Sequence, residues 1–261
     1  MSWSLLGAQF CLELSFGVLF ALAFVPKAPV GTLFYRLMGS TAMVLDLVAL
    51  GLLMREPDAA WTQPAVLATG IALLGYPLYS GPLRGWRWGA GLGWSLLATA
   101  VGVGTVLRRT MEDPGFGDWT LAGFSALSTG AVAGSVGLAM VLGHWYLTVP
   151  NLKVSHLSRL NRVTVGAMLA SLAGVLLTCV WHRDAFAEAS TPLLGPWGLF
   201  YLGTRLTVGL LLPLLFAWMT AGSLKFENTR SATGILYAST VLVLIGTAVS
   251  VSLQGSYKVP L

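Results

Sequence analysis

The chain has 261 residues, of which 56% are hydrophobic and only 10% are charged, and its formal net charge is +5. An average soluble domain carries about 25% charged residues. The composition, with a mean hydropathy of +0.77 over the whole chain, excludes a soluble globular enzyme, a disordered chain and a nucleic-acid-binding domain.

Eight apolar stretches reach the length of about 20 residues that a helix needs to cross the hydrocarbon core. We therefore predict an all-α, polytopic integral membrane protein with eight transmembrane helices in one domain over residues 1–261. Pro213 predicts a kink in the seventh helix, because proline lacks the helical N–H donor. The predicted spans are residues 3–25, 35–54, 60–80, 86–107, 119–149, 160–181, 193–221 and 231–253.

The charges of the connecting loops predict the orientation in the membrane. Loops one, three, five and seven hold nine basic residues and one acidic residue, whereas the even loops and the C-terminal tail hold five basic and seven acidic residues. Loops rich in lysine and arginine stay in the cytoplasm. We therefore predict a multi-pass protein of the cell (inner) membrane with both termini outside, in the periplasm of a Gram-negative host.

The two halves of the chain, residues 1–118 and 119–261, suggest a parallel four-plus-four repeat of the kind found in some transporters. In each half a proline ends a span, an arginine opens the next span, and that span ends in arginine followed by an acid. Basic residues beside any cytoplasmic loop explain the same pattern, so both interpretations stay open. The matching positions are Pro26 with Pro150, Arg36 with Arg162, and Arg55–Glu56 with Arg183–Asp184.

Three charged residues lie near the middle of predicted spans: Glu13, Asp46 and Arg205. A charge at this depth costs at least about 2.5 to 3.5 kcal/mol on insertion scales, so such residues face the bundle interior and pair. We predict one connected cluster in which Arg205 pairs with one carboxylate and the other carboxyl is protonated. The cluster suits a proton relay or a cation-coupled carrier. A structural ion pair or a substrate contact would explain the same residues.

His144, Trp145 and Tyr146 lie together at the predicted cytoplasmic end of the fifth span. These side chains can hydrogen-bond a quinone or lipid headgroup, or His144 can ligate a haem iron. The aromatic belt at the membrane surface explains them equally well. His182 is predicted at the opposite end of the bundle and His156 in a loop, so we expect no internal bis-histidine haem.

Glycines recur at every fourth residue in two predicted spans. Gly85, Gly89 and Gly93 would share one face of the fourth span, and Gly130 and Gly134 one face of the fifth. Glycine at this spacing lets helices approach closely. We predict packing faces within the chain, with docking of another subunit as the alternative.

The sequence holds no motif of a metal site, a nucleotide site or a hydrolase. Two functions therefore remain, and whether the chain is itself an enzyme stays open. The first, which the sequence favours, is a non-catalytic integral subunit of a larger respiratory or redox membrane complex, with a quinone or lipid site near His144. The second is a stand-alone proton-coupled small-solute carrier. The expected partners are the lipid bilayer and other membrane subunits, and not nucleic acid.

Overall fold

The computed structural model describes residues 2–56, 59–111, 114–149, 152–189 and 191–261. Every regular element in these ranges is helical, which confirms the predicted all-α class. Pro150, one position of the predicted repeat, lies outside the described residues. The helices are α1 (Trp3–Leu22), α2 (Lys27–Val30), α3 (Thr32–Leu53), α4 (Ala59–Leu74), α5 (Tyr76–Ser80), α6 (Trp86–Thr110), α7 (Phe116–Thr148), α8 (Ser155–Trp181), α9 (Arg183–Glu188), α10 (Pro196–Leu206), α11 (Leu212–Lys225) and α12 (Thr229–Tyr257).

Seven helices of the described chain are long and apolar enough to cross a membrane, which makes the protein a multi-pass helical membrane protein. They are α1, α3, α6, α7, α8, the continuous run Pro196–Lys225, and α12. The predicted span 60–80 differs because Gly75 divides it into α4, of 16 residues, and the short α5. The Ser95 hydroxyl of α6 donates a 2.9 Å hydrogen bond to the Ala72 carbonyl just before this break.

The run Pro196–Lys225 is also interrupted, by a π-helical segment at Thr207–Leu211 that joins α10 to α11. Pro213 follows this segment and has no N–H to offer the preceding turn, which is the physical basis of the predicted irregularity. Gly209 within the segment packs directly on Gly246 of α12. The wider π-helical turn therefore begins two residues after Arg205, where this segment crosses α12 closely.

The helix α1 lies at the centre of the bundle, where it packs against α3, α6, α7 and α12. Its closest crossing is with α7, where Gly17 touches the main chain of Gly130 and Gly134. The absence of side chains at these three positions lets the two backbones meet.

The neighbours of the helices follow the same order in both halves of the chain. α1 packs against α3 and α6, and α7 packs against α8 and α12. The interrupted α4–α5 segment packs against α6, and the interrupted α10–α11 run packs against α12. Between the halves, α6 touches α7 and α12 touches α1.

The predicted glycine face of the fourth span is not an internal packing face. Gly85 precedes α6 with a φ of +64°, and the positions of Gly89 and Gly93 are open, with nothing within 4 Å of an added Cβ. The close approach to α4 and α5 instead uses Gly91, which meets Leu78. Gly89 and Gly93 therefore lie on an exposed face of α6, and Gly85 lies before the helix and not on that face.

A short tail follows α12 and returns into the bundle. The chain turns at Lys258, whose φ of 65° is left-handed, and residues 259–261 are buried. Leu261 is fully buried in the same apolar cluster as Val106, Phe186 and Leu206. The tail thereby fills space between α6, α9, α10 and α12.

Candidate functional site

Glu13 is 1% exposed and lies in the middle of α1, next to the close crossing with α7. Its Oε1 accepts a 2.7 Å hydrogen bond from Nε2 of Gln9, one turn earlier on the same helix. Its Oε2 is buried and has no hydrogen-bond partner among the described residues. A carboxyl oxygen without a partner is unusual in a protein interior and marks this position as a functional candidate.

A buried amide pair connects Glu13 to one end of the bundle. Gln9 and Gln254 of α12 exchange two hydrogen bonds through their side-chain amides, one of them 2.7 Å long. Nε2 of Gln254 also donates to Oγ1 of Thr110, at the end of α6, at 3.0 Å. The chain Glu13–Gln9–Gln254–Thr110 therefore runs from mid-span to the end of the bundle that holds the start of α1 and the tail.

The variant Gln254→Leu tests this amide pair. We expect it to lower the free energy of unfolding by about 2–4 kcal/mol, because Oε1 of Gln9 loses its buried donor and Nε2 of Gln9 keeps only Glu13 as an acceptor. Thermal unfolding in detergent, followed by tryptophan fluorescence, measures the effect. Ser252→Ala, at an exposed position of the same helix, is the matched control. Equal stability of the two variants would contradict the pairing.

Arg205, 1% exposed, is held by two hydroxyl groups and one main-chain oxygen. Its Nη2 donates to Oγ1 of Thr129 at 2.7 Å and to Oγ of Ser171 at 2.8 Å. Its Nε donates to the main-chain oxygen of Leu261 at 3.2 Å, and the Ser250 hydroxyl donates to the same oxygen. Arg205 interacts electrostatically with Glu13, but no side-chain carboxylate of the described residues lies within 4 Å of it.

Asp46 lies on the other side of α1 from Glu13. Its carboxyl, 2% exposed, lies beside Ser15 and Cys11, and Oδ1 has no hydrogen-bond partner within the described chain. Ser15 and Cys11 are each two residues from Glu13, which turns them about 200° around the helix. The three charged residues therefore form two groups separated by α1, where the sequence predicted one cluster.

A line of hydroxyl groups follows the α7–α8 interface from Arg205 towards the ends of these helices. Thr129 and Ser171 lie 3.4 Å apart across the interface. Further along, the hydroxyls of Ser125 and Thr178 are buried without a hydrogen-bond partner in the described structure. The line ends where the His182 ring lies 3.8 Å from Oδ1 of Asp118.

The three aromatic candidates at the other end of the bundle do not form one site. Trp145 is engaged in packing, because its Nε1 donates to the Val30 carbonyl at 3.2 Å and its ring lies edge-on to Phe34. The Tyr146 hydroxyl donates to the carbonyl of Lys153. His144 alone is exposed, and its Nδ1 lies 3.4 Å from the hydroxyl of Tyr237 on α12. Tyr237 is the partner that the sequence did not predict.

The sequence prediction also missed the uncharged members of the buried groups. Gln9 lies inside the first predicted span and Gln254 lies one residue beyond the last, and both lie near one end of the bundle. A search for amides as well as charges, extended by one turn beyond each predicted span, would have found them. Thr129 and Ser171 carry no such signal, because small hydroxyl residues are common throughout transmembrane helices.

No group of three or more His, Cys, Asp or Glu side chains suited to a metal ion occurs in the part of the chain that the structure describes. Comparison of the chain with models of protein families, with curated proteins and with solved structures finds no match in any of the three. The geometry of the buried groups is therefore the basis for a function.

Proposed function

We propose that the protein is a proton-coupled carrier for a small solute, with Glu13 as its principal proton site and Asp46 as a second. The observation that carries this proposal is the Glu13 carboxyl itself, fully buried at mid-span with Oε2 unpartnered. A carboxyl can take up or release one proton without other rearrangement, which is the chemical requirement for a proton relay. A buried carboxyl group with only a structural role would be expected to have hydrogen-bond partners at both of its oxygen atoms.

The arrangement of the helices supports the proposal. We propose that α4 and α5 together complete an eighth crossing and that the two sets of four helices are a parallel repeat. The shared order of neighbours, and the interruption of the third span at Gly75 and the seventh at Thr207–Leu211, support this repeat. Interrupted helices in corresponding positions of two repeats commonly mark the binding region of carriers.

The charge distribution supports the predicted placement in a cell (inner) membrane with both termini outside. In this orientation the chain from Thr110 to Glu13 begins on the outer side. The polar groups therefore offer Glu13 a route to the periplasmic side, which is the side from which a proton-driven importer receives protons.

Proton movement in liposomes tests the proposal. The purified full chain is reconstituted with a pH-sensitive dye trapped inside, and a potassium diffusion potential, negative inside, is imposed. Mixtures of amino acids, carboxylic acids or sugars are added outside. We expect at least one mixture to acidify the interior faster than in protein-free liposomes. Acidification equal to that of protein-free liposomes with every mixture would overturn the proposal.

A second candidate function is an integral subunit of a respiratory or redox complex. The exposed pair of His144 and Tyr237 favours it, because two hydrogen-bonding groups 3.4 Å apart on an apolar surface suit a quinone or lipid headgroup. In this case other membrane subunits are the partners, and the protein co-purifies with them in mild detergent.

His144→Ala distinguishes this second function from the first. If the protein is a redox subunit, the variant is expected to reduce quinone-linked electron transfer of the purified complex by about tenfold, the loss of one good hydrogen bond to a headgroup. Mass spectrometry and a reduced-minus-oxidised spectrum of the same sample identify cytochromes or iron–sulfur subunits. A colourless protein with no stoichiometric partner would exclude the redox subunit.

A further inference from the structure

The helices α11 and α12 leave an open cavity between them, next to the turn at residues 226–228 that joins them. The volume of this α11–α12 cavity is about 430 Å³, within the range of roughly 300–1,000 Å³ found for small-ligand sites. It opens on the outside of the bundle, where Trp218 and Met219 of its wall are exposed. A ligand can therefore enter it from the surrounding membrane.

The end of the α11–α12 cavity nearest the turn is polar. Lys225, the last residue of α11, has an exposed side chain that lines the cavity together with Ser223 and Ser231. The two serine hydroxyls lie 3.4 Å apart across the interface of α11 and α12. Among the described residues no carboxylate lies within 4 Å of the Lys225 ammonium, although Glu227 follows in the turn. One ammonium and two hydroxyls are a suitable set of donors for a phosphate group.

The other end of the α11–α12 cavity is apolar. Trp218 and Met219 of α11 and Ile235 of α12 form its wall. Trp218 lies two helical turns before Lys225, which is roughly 10 Å along the helix axis towards the middle of the span. Gly222 lies between them, and an added Cβ there would meet nothing within 4 Å, so the missing side chain leaves space in the cavity. The cavity thus has a cationic end at the membrane surface and an apolar end within the span.

We propose that the α11–α12 cavity binds one anionic phospholipid of the surrounding membrane. The phosphate accepts hydrogen bonds from Lys225, Ser223 and Ser231, and the beginning of an acyl chain lies against Trp218 and Ile235. Basic pockets between transmembrane helices are typical sites for anionic headgroups. A soluble phosphate would use only the polar end and would leave the apolar wall uncovered.

The charge of this end of the bundle favours an anionic lipid over a zwitterionic one. The turn belongs to the odd loops, which together hold nine basic residues and one acidic residue. Arg230, exposed at the start of α12, adds a second positive charge beside the turn. Phosphatidylcholine would bring a cation of its own into these surroundings, whereas phosphatidylglycerol would not. The site is separate from Glu13 and Arg205, so it applies to a carrier and to a redox subunit alike.

Native mass spectrometry of the full chain in mild detergent tests the headgroup site through the apparent Kd of the first bound lipid. Phosphatidylglycerol and phosphatidylcholine with the same acyl chains are titrated separately, and the former is expected to bind more tightly. Lys225→Gln should weaken phosphatidylglycerol binding by about tenfold, because it removes a hydrogen bond between charged groups. Lys153→Gln, at an exposed position of another odd loop, is the matched control and should bind as the wild type does.

The variant Gly222→Leu tests the apolar end separately. A leucine side chain at this open position fills the cavity without meeting α12, and it is expected to weaken phosphatidylglycerol binding by about tenfold. Gly166→Leu, at an exposed and equally open position of α8, is its control and should leave the Kd unchanged. The melting temperature of each variant shows that it is folded.

Competition with soluble anions distinguishes a lipid from a free phosphate. Sodium phosphate and glycerol 3-phosphate carry the headgroup chemistry without acyl chains, and neither is expected to displace phosphatidylglycerol. Displacement by either anion, or an unchanged Kd in Gly222→Leu, would overturn the lipid site in favour of a soluble phosphate. Equal Kd values for the two lipids, or equal values for Lys225→Gln and Lys153→Gln, would overturn the anionic site. No proton gradient is present in this assay, so its result is independent of the carrier function.

Discussion

The variant Gly134→Ala is expected to destabilise the protein more than a glycine-to-alanine substitution at any other position of α7. A Cβ on Gly134 would overlap the main chain of Gly17 and Val18 in α1, and backbone atoms cannot move aside as a side chain can. Separating α1 from α7 would also disturb the environment of Glu13. We expect the free energy of unfolding to fall by about 3 kcal/mol, the upper end of the usual range for overpacked cores.

Thermal unfolding in detergent measures this effect, and Gly137→Ala is its matched control. Gly137 lies on the same helix three residues later, and an added Cβ there meets nothing within 4 Å. The control is expected to equal or slightly exceed the wild type, because alanine favours the helix by about 1 kcal/mol over glycine. If both variants unfold at the wild-type temperature, the α1–α7 crossing is not as close as the structure has it.

Glu13→Gln is expected to abolish proton uptake in the liposome assay while leaving the protein folded. The amide keeps an oxygen that can accept the hydrogen bond from Gln9, so the local packing is preserved, but it cannot take up or release a proton. Initial rates of internal acidification should fall to those of protein-free liposomes. Asp46→Asn is expected to reduce the rate less, because Asp46 lies on the opposite side of α1 from Arg205.

Two measurements accompany this prediction. Size-exclusion chromatography and the melting temperature must show that Glu13→Gln is folded, so that loss of uptake reports chemistry and not stability. Glu227→Gln changes an exposed carboxyl outside the spans and should transport as the wild type does. Undiminished uptake by a folded Glu13→Gln protein would remove Glu13 as the proton site.

The positions of the spans were predictable because hydropathy depends only on local sequence. The first span was predicted at residues 3–25 and α1 is Trp3–Leu22, and the fifth was predicted at 119–149 and α7 is Phe116–Thr148. The break at Gly75 was not predictable in this way. It depends on Ser95 and Gly91 of another helix, which occupy the space that a side chain at Gly75 would need.

The candidate site was predictable in its charged residues but not in their contacts. Glu13, Asp46 and Arg205 stand out because a charge in an apolar span is rare, and the structure places all three in the interior. The depth of a residue along its helix does not show on which side of the helix axis its side chain lies. The sequence therefore could not show that Asp46 and Glu13 lie on opposite sides of α1. One of the three hydrogen-bond partners of Arg205, Leu261, lies in the tail, which no periodic pattern predicts.

The central position of α1 has a consequence for biosynthesis. Gln9 meets Gln254 across 245 residues of chain, so α1 is inserted into the membrane long before its polar partner on α12 has been made. During this interval Glu13 has only Gln9 as a partner, at a depth where a charge costs about 2.5 kcal/mol or more on insertion scales. The first helix must therefore be retained in the membrane by its apolar residues alone, and the polar interior is completed only when the last helix leaves the ribosome.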